Sequence, residues 1–518
     1  MPRVNLPQLS GKVFLSAAGK LFALAIVFGL IYAQSPLYTS NQNQYFLHGL
    51  AKAGFGYLER DWLANTLDPT PVFSLLVMWT YRVFNTGILF FGYYALLLTA
   101  YLFSLVGISR CLFDLRGGQK TLIYLTLLLV IHSAALRFTL SRTLGEEWTY
   151  LLEGGVAGQR VLGEVFQPST FGIFLVVSIY LFLKNHRILA LLAAAIAASV
   201  HPTYLLSAGL LVLAYLVLVY REERSLVKAL AVGLIAFVLV LPILVYVYTS
   251  FDSSGVEVAS SAQRILVRYR IPHHAQVAEW LNTTTFLQVA IILAGIWLVR
   301  HTKMLPIMSI PLLLGVFLTI LQVITQNNAL ALLFPWRISV ILVPLATSIL
   351  LAYCVSCITE KYRSTWEKYQ KLSLVLGLAV CAALMAAGTI RFQLELRYQA
   401  LADERGLFSY INHTKTPSDV YLVPTKMQEF RLATGAPIFV DFKAIPYQDK
   451  EVLEWSRRMQ LVTRFYNEEK AACGLLAKFH QKEGVTQVVM ETDGKELDCI
   501  YLKEIFQDDN YRVFEFTK

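Results

Sequence analysis

Between residues 21 and 390 the chain returns repeatedly to apolar runs close to the roughly 20 residues that carry an α-helix across a hydrocarbon core. In lipid, every backbone N–H and C=O has to be satisfied inside the protein. Repeated runs of this length therefore point to a bundle of spanning helices. Only 15% of the residues are charged, against about 25% in soluble domains. The deficit fits a bilayer, where charged side chains are costly. The net charge of +10 reads as Lys and Arg held in loops on the cytoplasmic side. No basic stripe with interleaved aromatics occurs, so the lipid bilayer, and not nucleic acid, is the expected partner.

Helices are expected near 17–35, 86–108, 121–136, 168–183, 188–200, 203–220, 226–248, 284–299, 304–324, 338–358 and 372–390, about eleven in all. Short loops dense in Lys and Arg, such as KNHR, REERS and RHTK, alternate with longer, mixed-charge loops at 36–85, 137–167, 249–283 and 325–337. That asymmetry places the N-terminus in the cytoplasm and the long loops outside. The first apolar segment follows Arg3, Lys12 and Lys20, but no small-residue cleavage site comes after it, so it is expected to remain as a helix. Residues 71–85 are too short to cross and carry apolar residues at helical spacing. An interfacial helix on the outer surface is expected there. Residues 188–220 are interrupted at His201-Pro202-Thr203, giving either two short crossings or a re-entrant pair.

The composition changes after residue 390. VYLVP (420–424), APIFVDF (436–442), VTQVVME (485–491) and YRVFEFT (511–517) read as strands. Residues 449–466 and 471–484 read as amphipathic helices. The chain thus divides into a membrane domain, 1–390, and a small α/β domain, 391–518, which eleven crossings would place outside. There Cys473 and Cys499 could pair. Cys111, Cys354, Cys357 and Cys381 read as packing residues of helices.

Three stretches carry a resemblance. Asp68-Pro69-Thr70-Pro71-Val72-Phe73 looks like a proline-rich entry to an interfacial helix. LALLAAAIAASVHPTYLLSAGLLVL looks like a pair of short helices before a carrier groove. TPSDVYLVPTKMQEFRLATGAPIFVDFK is similar to outer domains of membrane proteins. Together with the layout, they resemble the GT-C superfamily of integral-membrane glycosyltransferases. The last stretch is also similar to a bacterial multi-pass family of unknown function. The resemblance implies transfer of a sugar, of the inverting type, from a polyprenyl-phosphate carrier to an acceptor on the outer face of a bacterial inner membrane. A non-catalytic relative that binds lipid-linked glycan or assists envelope assembly is the alternative, and a transporter is the third reading.

Such transfer needs a base near the attacking oxygen and cations near the departing phosphate. GT-C members usually place an acid just after the first helix, where this chain has Asn41, Gln42, Asn43 and Gln44. The base role then falls to Asp61 or Glu59, which read equally as part of a solvated turn with a local ion pair. For the carrier phosphate the candidates are Arg337, Arg268, Arg270 and His201. Arg337 also reads as an interfacial anchor beside Trp336, the Arg268/Arg270 pair as a solvated loop, and His201 as the end of a proline-broken helix. Arg431, Asp441 and Lys443 are candidates for acceptor binding or for structural ion pairs. With Asp61, the glutamates Glu146, Glu147 and Glu153 could hold a divalent cation, Mg or Mn. Adjacent Glu146 and Glu147 point to different sides of a helix, which favours an exposed polar face instead.

Overall fold

The computed structural model describes residues 11–115, 117–468 and 472–517. Arg3, part of the basic start, and Ala471, expected to begin a helix, lie outside them. A helix stands at each of the eleven expected places: Gly11–Tyr32, Leu89–Leu112, Gly118–Ile131, Ile173–Leu183, Arg187–Val200, Leu205–Glu223, Leu226–Ser250, Thr283–Leu298, Met304–Thr325, Ser339–Lys361 and Gln370–Ala400. Six are long and apolar enough to cross a membrane alone, or seven if Gly118–Ile131 and the bent Ala134–Leu144 form one span. That count covers the described residues; Gly11–Tyr32, at 22 residues, is also long enough to cross, while Ile173–Leu183, Arg187–Val200 and Thr283–Leu298 are short for a crossing on their own. The last long helix continues past residue 390 to Ala400, so the sheet domain begins later than the composition change suggests.

The Ser339–Lys361 helix lies at the centre, buried continuously from Ser339 to Ile349. Thr283–Leu298 packs along it, while Gly11–Tyr32 lies between Leu89–Leu112 and Gln370–Ala400. The outermost helices keep large apolar side chains exposed, including Leu230, Phe237 and Val238 on Leu226–Ser250. In water that surface would be unfavourable, and in a bilayer it is solvated. Cys111, Cys354 and Cys357 lie on such exposed faces and not in packed interiors.

Pro71 starts the expected interfacial helix, Pro71–Phe84, because a missing N–H costs nothing in a first turn. It packs against Leu47–Ala53. Val72, Leu75, Trp79 and Val83 remain exposed along one side. The break at His201 is also present. His201 ends Arg187–Val200, a turn of 3-10 helix spans Pro202–Tyr204, and Leu205–Glu223 follows.

The C-terminal domain carries a four-stranded sheet of order β1-β2-β4-β3, with β1 Tyr421–Leu422, β2 Gln487–Glu491, β3 Leu502–Gln507 and β4 Tyr511–Phe516. Helices Asp449–Asn467 and Ala472–Glu483 cover it. The expected strand at 436–442 is absent. Its backbone bridges β1 only at Ile438–Tyr421, because its polar groups serve the interface described below. β3 had not been anticipated, since LKEIFQ is mostly charged or half-buried as suits an edge strand. Cys473 and Cys499 are disulfide-bonded, with Cα atoms 5.7 Å apart and a sequence separation of 26. A loop of that size corresponds to about 3–4 kcal/mol of chain-entropy stabilisation. Cys499→Ser should therefore lower the thermal midpoint of the purified protein under oxidising conditions. Under reducing conditions the two proteins should melt together.

Candidate functional site

The first loop, residues 33–70, is bound to the sheet domain along its length. Backbones meet where Tyr57 N donates to Gly435 O at 2.7 Å. Gly56 and Gly435 both have positive φ there, and a Cβ on Gly56 would lie 2.3 Å from Gly435 O, so no larger residue fits. The Gln44 amide binds both main-chain groups of one residue, accepting from Ile445 N at 2.6 Å and donating to Ile445 O at 3.0 Å. Arg60 donates to Pro417 O, and Glu451 accepts from Leu67 N.

At the centre of this seam Arg431 lies between two carboxylates. Its Nε donates to Asp61 Oδ2 at 2.7 Å, and its Nη1 donates to Asp441 Oδ2. All three side chains are at most 2% exposed. Asp61 Oδ1 also accepts from Leu63 N at 2.9 Å, and Oδ2 from Ile438 N at 3.0 Å. Both oxygens are thus engaged. This corrects the reading of Asp61 as a base and of Arg431 and Asp441 as acceptor ligands: burial and mutual pairing make the three a clamp between loop and domain. Of the three carboxylates in the loop, Asp68 pairs with Lys52 at 3.2 Å. Only Glu59 keeps an exposed side chain outside any ion pair among the described residues.

The proposed cation ligands also separate. Glu153 is buried and turned inward, 3.4 Å from Arg137 and 3.8 Å from His132, while Asp61 belongs to the clamp. Among the described residues, no group of three or more His, Cys, Asp or Glu side chains could hold a metal ion.

Beside the clamp, cations converge from three parts of the chain. Arg337 sits on the 3-10 turn Pro335–Ile338 that leads into the central helix. Its guanidinium lies over the Tyr204 ring, 4.7 Å from the centroid. His201 stands edge-on between Tyr204 and Tyr45, with centroids 5.6 and 5.8 Å away. Arg337 is an electrostatic neighbour of His201, His274 and Tyr447, and Arg270 of His273, Lys443 and Tyr447. Arg270 also donates to Lys443 O and lies over the Phe442 ring. The Nε atoms of Arg337 and Arg270 are buried without a hydrogen-bond partner.

Electrostatics mark the spot. Burial and then Arg270 hold the Lys443 ammonium below its ordinary value. Burial, with His273 beside it, takes His274 down to about 3, so it is neutral at any physiological pH. Burial and then Arg270 lower His273. No carboxylate forms an ion pair with Arg337, Arg270 or Lys443 among the described residues. Asp441, already paired with Arg431, and Glu429 act on Lys443 only from beyond ion-pair distance, so a partly buried excess of positive charge remains, which is unfavourable and which an anion would relieve.

Arg337, Arg270, His201 and Lys443 are thus brought together. Arg268 is exposed and joins no partner at this place, because the π-helical turn Leu266–Arg270 sends the two arginines different ways. Tyr45, Tyr204 and Tyr447 were not singled out from sequence. Tyr204, three residues past His201 across a proline turn, could have been found from its spacing.

Several known proteins bear comparison. A family described as Domain of unknown function (DUF6798) matches residues 402–462. No curated protein matches the chain. Among solved structures, ArnT from Cupriavidus metallidurans bound to undecaprenyl phosphate is similar over 98% of this chain and 98% of that one, at 12% identity and TM-score 0.50. The same protein in the apo state is 13% identical over the same shares, with TM-score 0.45. This chain has the fold of ArnT: a helical membrane domain followed by a small sheet domain.

Proposed function

We propose that the cation cluster of Arg337, Arg270 and Lys443 binds the phosphate of a polyprenyl-phosphate-linked sugar, and that the protein transfers this sugar to an acceptor. The single observation behind this reading is the convergence of three cations without a paired carboxylate. Such a wall suits a phosphate that gains charge as the sugar leaves. In its support, the solved structure of similar fold holds undecaprenyl phosphate. The disulfide of the sheet domain favours an oxidising compartment. Together with the basic short loops, it supports an extracytoplasmic position for this cation cluster in a bacterial inner membrane.

For the base, Glu59 is the remaining acid of the first loop. A second reading is binding without transfer. It is favoured by Asn43, which stands near where GT-C members usually carry an acid and whose amide atoms are buried without partners. A panel of polyprenyl-phosphate sugars, offered to the purified protein with and without Mg or Mn, separates the two. Transfer is expected in the wild type and is expected to be lost in Glu59→Gln. Transfer unchanged in Glu59→Gln removes Glu59 as base, and saturable binding with no transfer across the panel establishes the second reading.

A further inference from the structure

A cavity, about 250 Å³, opens between the turn after Ala134–Leu144 and the start of Thr283–Leu298. Its chemistry is opposite to that of the cation wall. Glu146, Glu147 and Glu279 stand at it, together with Tyr150, Gln159, His273, Trp280 and Thr284. None of the three glutamates forms an ion pair among the described residues. Glu147 accepts only from Asn282 Nδ2, at 3.2 Å, and Glu146 from the Ser141 hydroxyl.

The buried part of the lining is unsatisfied. Gln159, Trp280 and Thr284 are 6%, 7% and 6% exposed. Gln159 Oε1, Trp280 Nε1 and Thr284 Oγ1 have no hydrogen-bond partner. Buried polar atoms are nearly always paired, so three around one cavity are a reason to look for what pairs them. They are an acceptor, a donor and a hydroxyl that can do either. A ligand that meets all three must itself donate and accept, as a hydroxyl does. Ionised carboxylates only accept, and they too suit hydroxyl donors. The same carboxylates repel phosphates and uronates.

Local packing keeps the lining in place. Asn282 caps Thr283–Leu298 by accepting from Thr285 N at 3.0 Å. Thr285 Oγ1 donates to Trp280 O, and Gln288 donates to Gly154 O. Trp280 packs against Trp336, with ring centroids 4.9 Å apart, and Trp336 directly precedes Arg337. His273 lines this cavity and is an electrostatic neighbour of Arg270. This cavity, acidic and polar, therefore adjoins the cation cluster.

We infer that this cavity binds a neutral, hydroxyl-rich ligand, a single sugar unit, next to the phosphate site. The inference rests on the proposed function for its role in transfer, but its binding chemistry can be tested apart from it. The full-length protein in lipid nanodiscs is titrated with methyl glucoside and with methyl glucuronide by saturation-transfer NMR. Undecaprenyl phosphate binding is measured in parallel. Saturable binding of the neutral glycoside is expected, and Thr284→Val, which keeps shape, and Trp280→Phe, which keeps an aromatic ring, each remove one polar group and should weaken it roughly five- to tenfold. Both variants should bind undecaprenyl phosphate as the wild type does. The glucuronide should bind more weakly, and Glu279→Gln, an exposed change that spares the buried lining, should narrow that gap.

No saturable glycoside binding, in a protein that does bind undecaprenyl phosphate, overturns this inference and leaves the phosphate reading standing. Glycoside binding that is equal in the wild type and both variants overturns it as well. Glycoside binding without undecaprenyl phosphate binding supports this cavity and overturns the phosphate reading.

Discussion

Arg431→Ala should be the most destabilising single change in the protein, at about 3–5 kcal/mol, the scale for breaking a buried ion pair by removing one partner. The loss follows from what stays behind. Asp61 and Asp441 would face each other with no cation between them, at positions no more than 1% exposed. Asp61→Asn should cost less, about 1–3 kcal/mol, because Arg431 keeps Asp441 and an amide oxygen still accepts a backbone N–H. The triple change Arg431→Met, Asp61→Asn and Asp441→Asn removes all the charges together and should recover much of the loss.

The pH dependence has a definite sign. Burial holds the Asp441 carboxyl above the usual carboxylate range, with Arg431 pulling it back down. A carboxyl raised in the folded state contributes stability that is present below its ordinary value and lost as pH rises through the folded one. Removing Arg431 raises it further. The thermal midpoint of Arg431→Ala should then climb as the buffer goes from about pH 8 to about pH 5, relative to wild type. Limited proteolysis should report the same event locally, with cleavage in the first loop or in residues 401–449. A midpoint for Arg431→Ala equal to wild type would remove the clamp from the account.

That clamp marks the limit of what the sequence could reveal. Helix positions were legible because a bilayer writes its thickness directly into apolar run length, from Gly11–Tyr32 through Gln370–Ala400. The interfacial Pro71–Phe84 helix was legible from its spacing. The sheet domain was legible in outline, but APIFVDF was misread as a strand. Its β-branched and aromatic residues fit a strand, while its backbone N–H at Ile438 goes to Asp61, 377 positions away. Asp61 looked like a free loop carboxylate for the same reason: nothing local shows that Arg431, 370 positions later, will pair with it. Arg337 and His201 could be picked out as ionisable groups at breaks in apolar segments. Tyr204 was within reach only through its spacing from His201, and Tyr45 and Tyr447 were not, because an aromatic ring that packs and one that lines a site look alike in sequence.

Arg337→Gln should have the largest effect on ligand binding. A charge-assisted hydrogen bond to phosphate contributes about 1.5–3 kcal/mol, so affinity should fall roughly tenfold to more than a hundredfold. The guanidinium has no carboxylate partner to leave stranded, and its place over Tyr204 can be taken by a neutral amide. Folding should therefore be little changed, which makes binding a clean readout. Arg337→Lys should not restore it fully, since an ammonium cannot reproduce a planar fork held against a ring. Arg268→Gln, on an exposed position of the neighbouring turn, serves as the matched control for loss of one positive charge.

The decisive measurement is a titration of wild type, Arg337→Gln and Arg268→Gln in nanodiscs with undecaprenyl phosphate, read by native mass spectrometry. Saturable binding to wild type and Arg268→Gln, with a loss of at least roughly tenfold in Arg337→Gln, is the expected result. Equal binding by all three proteins, or none by any, would contradict the assignment of this cation cluster as the site of a prenyl-linked phosphate.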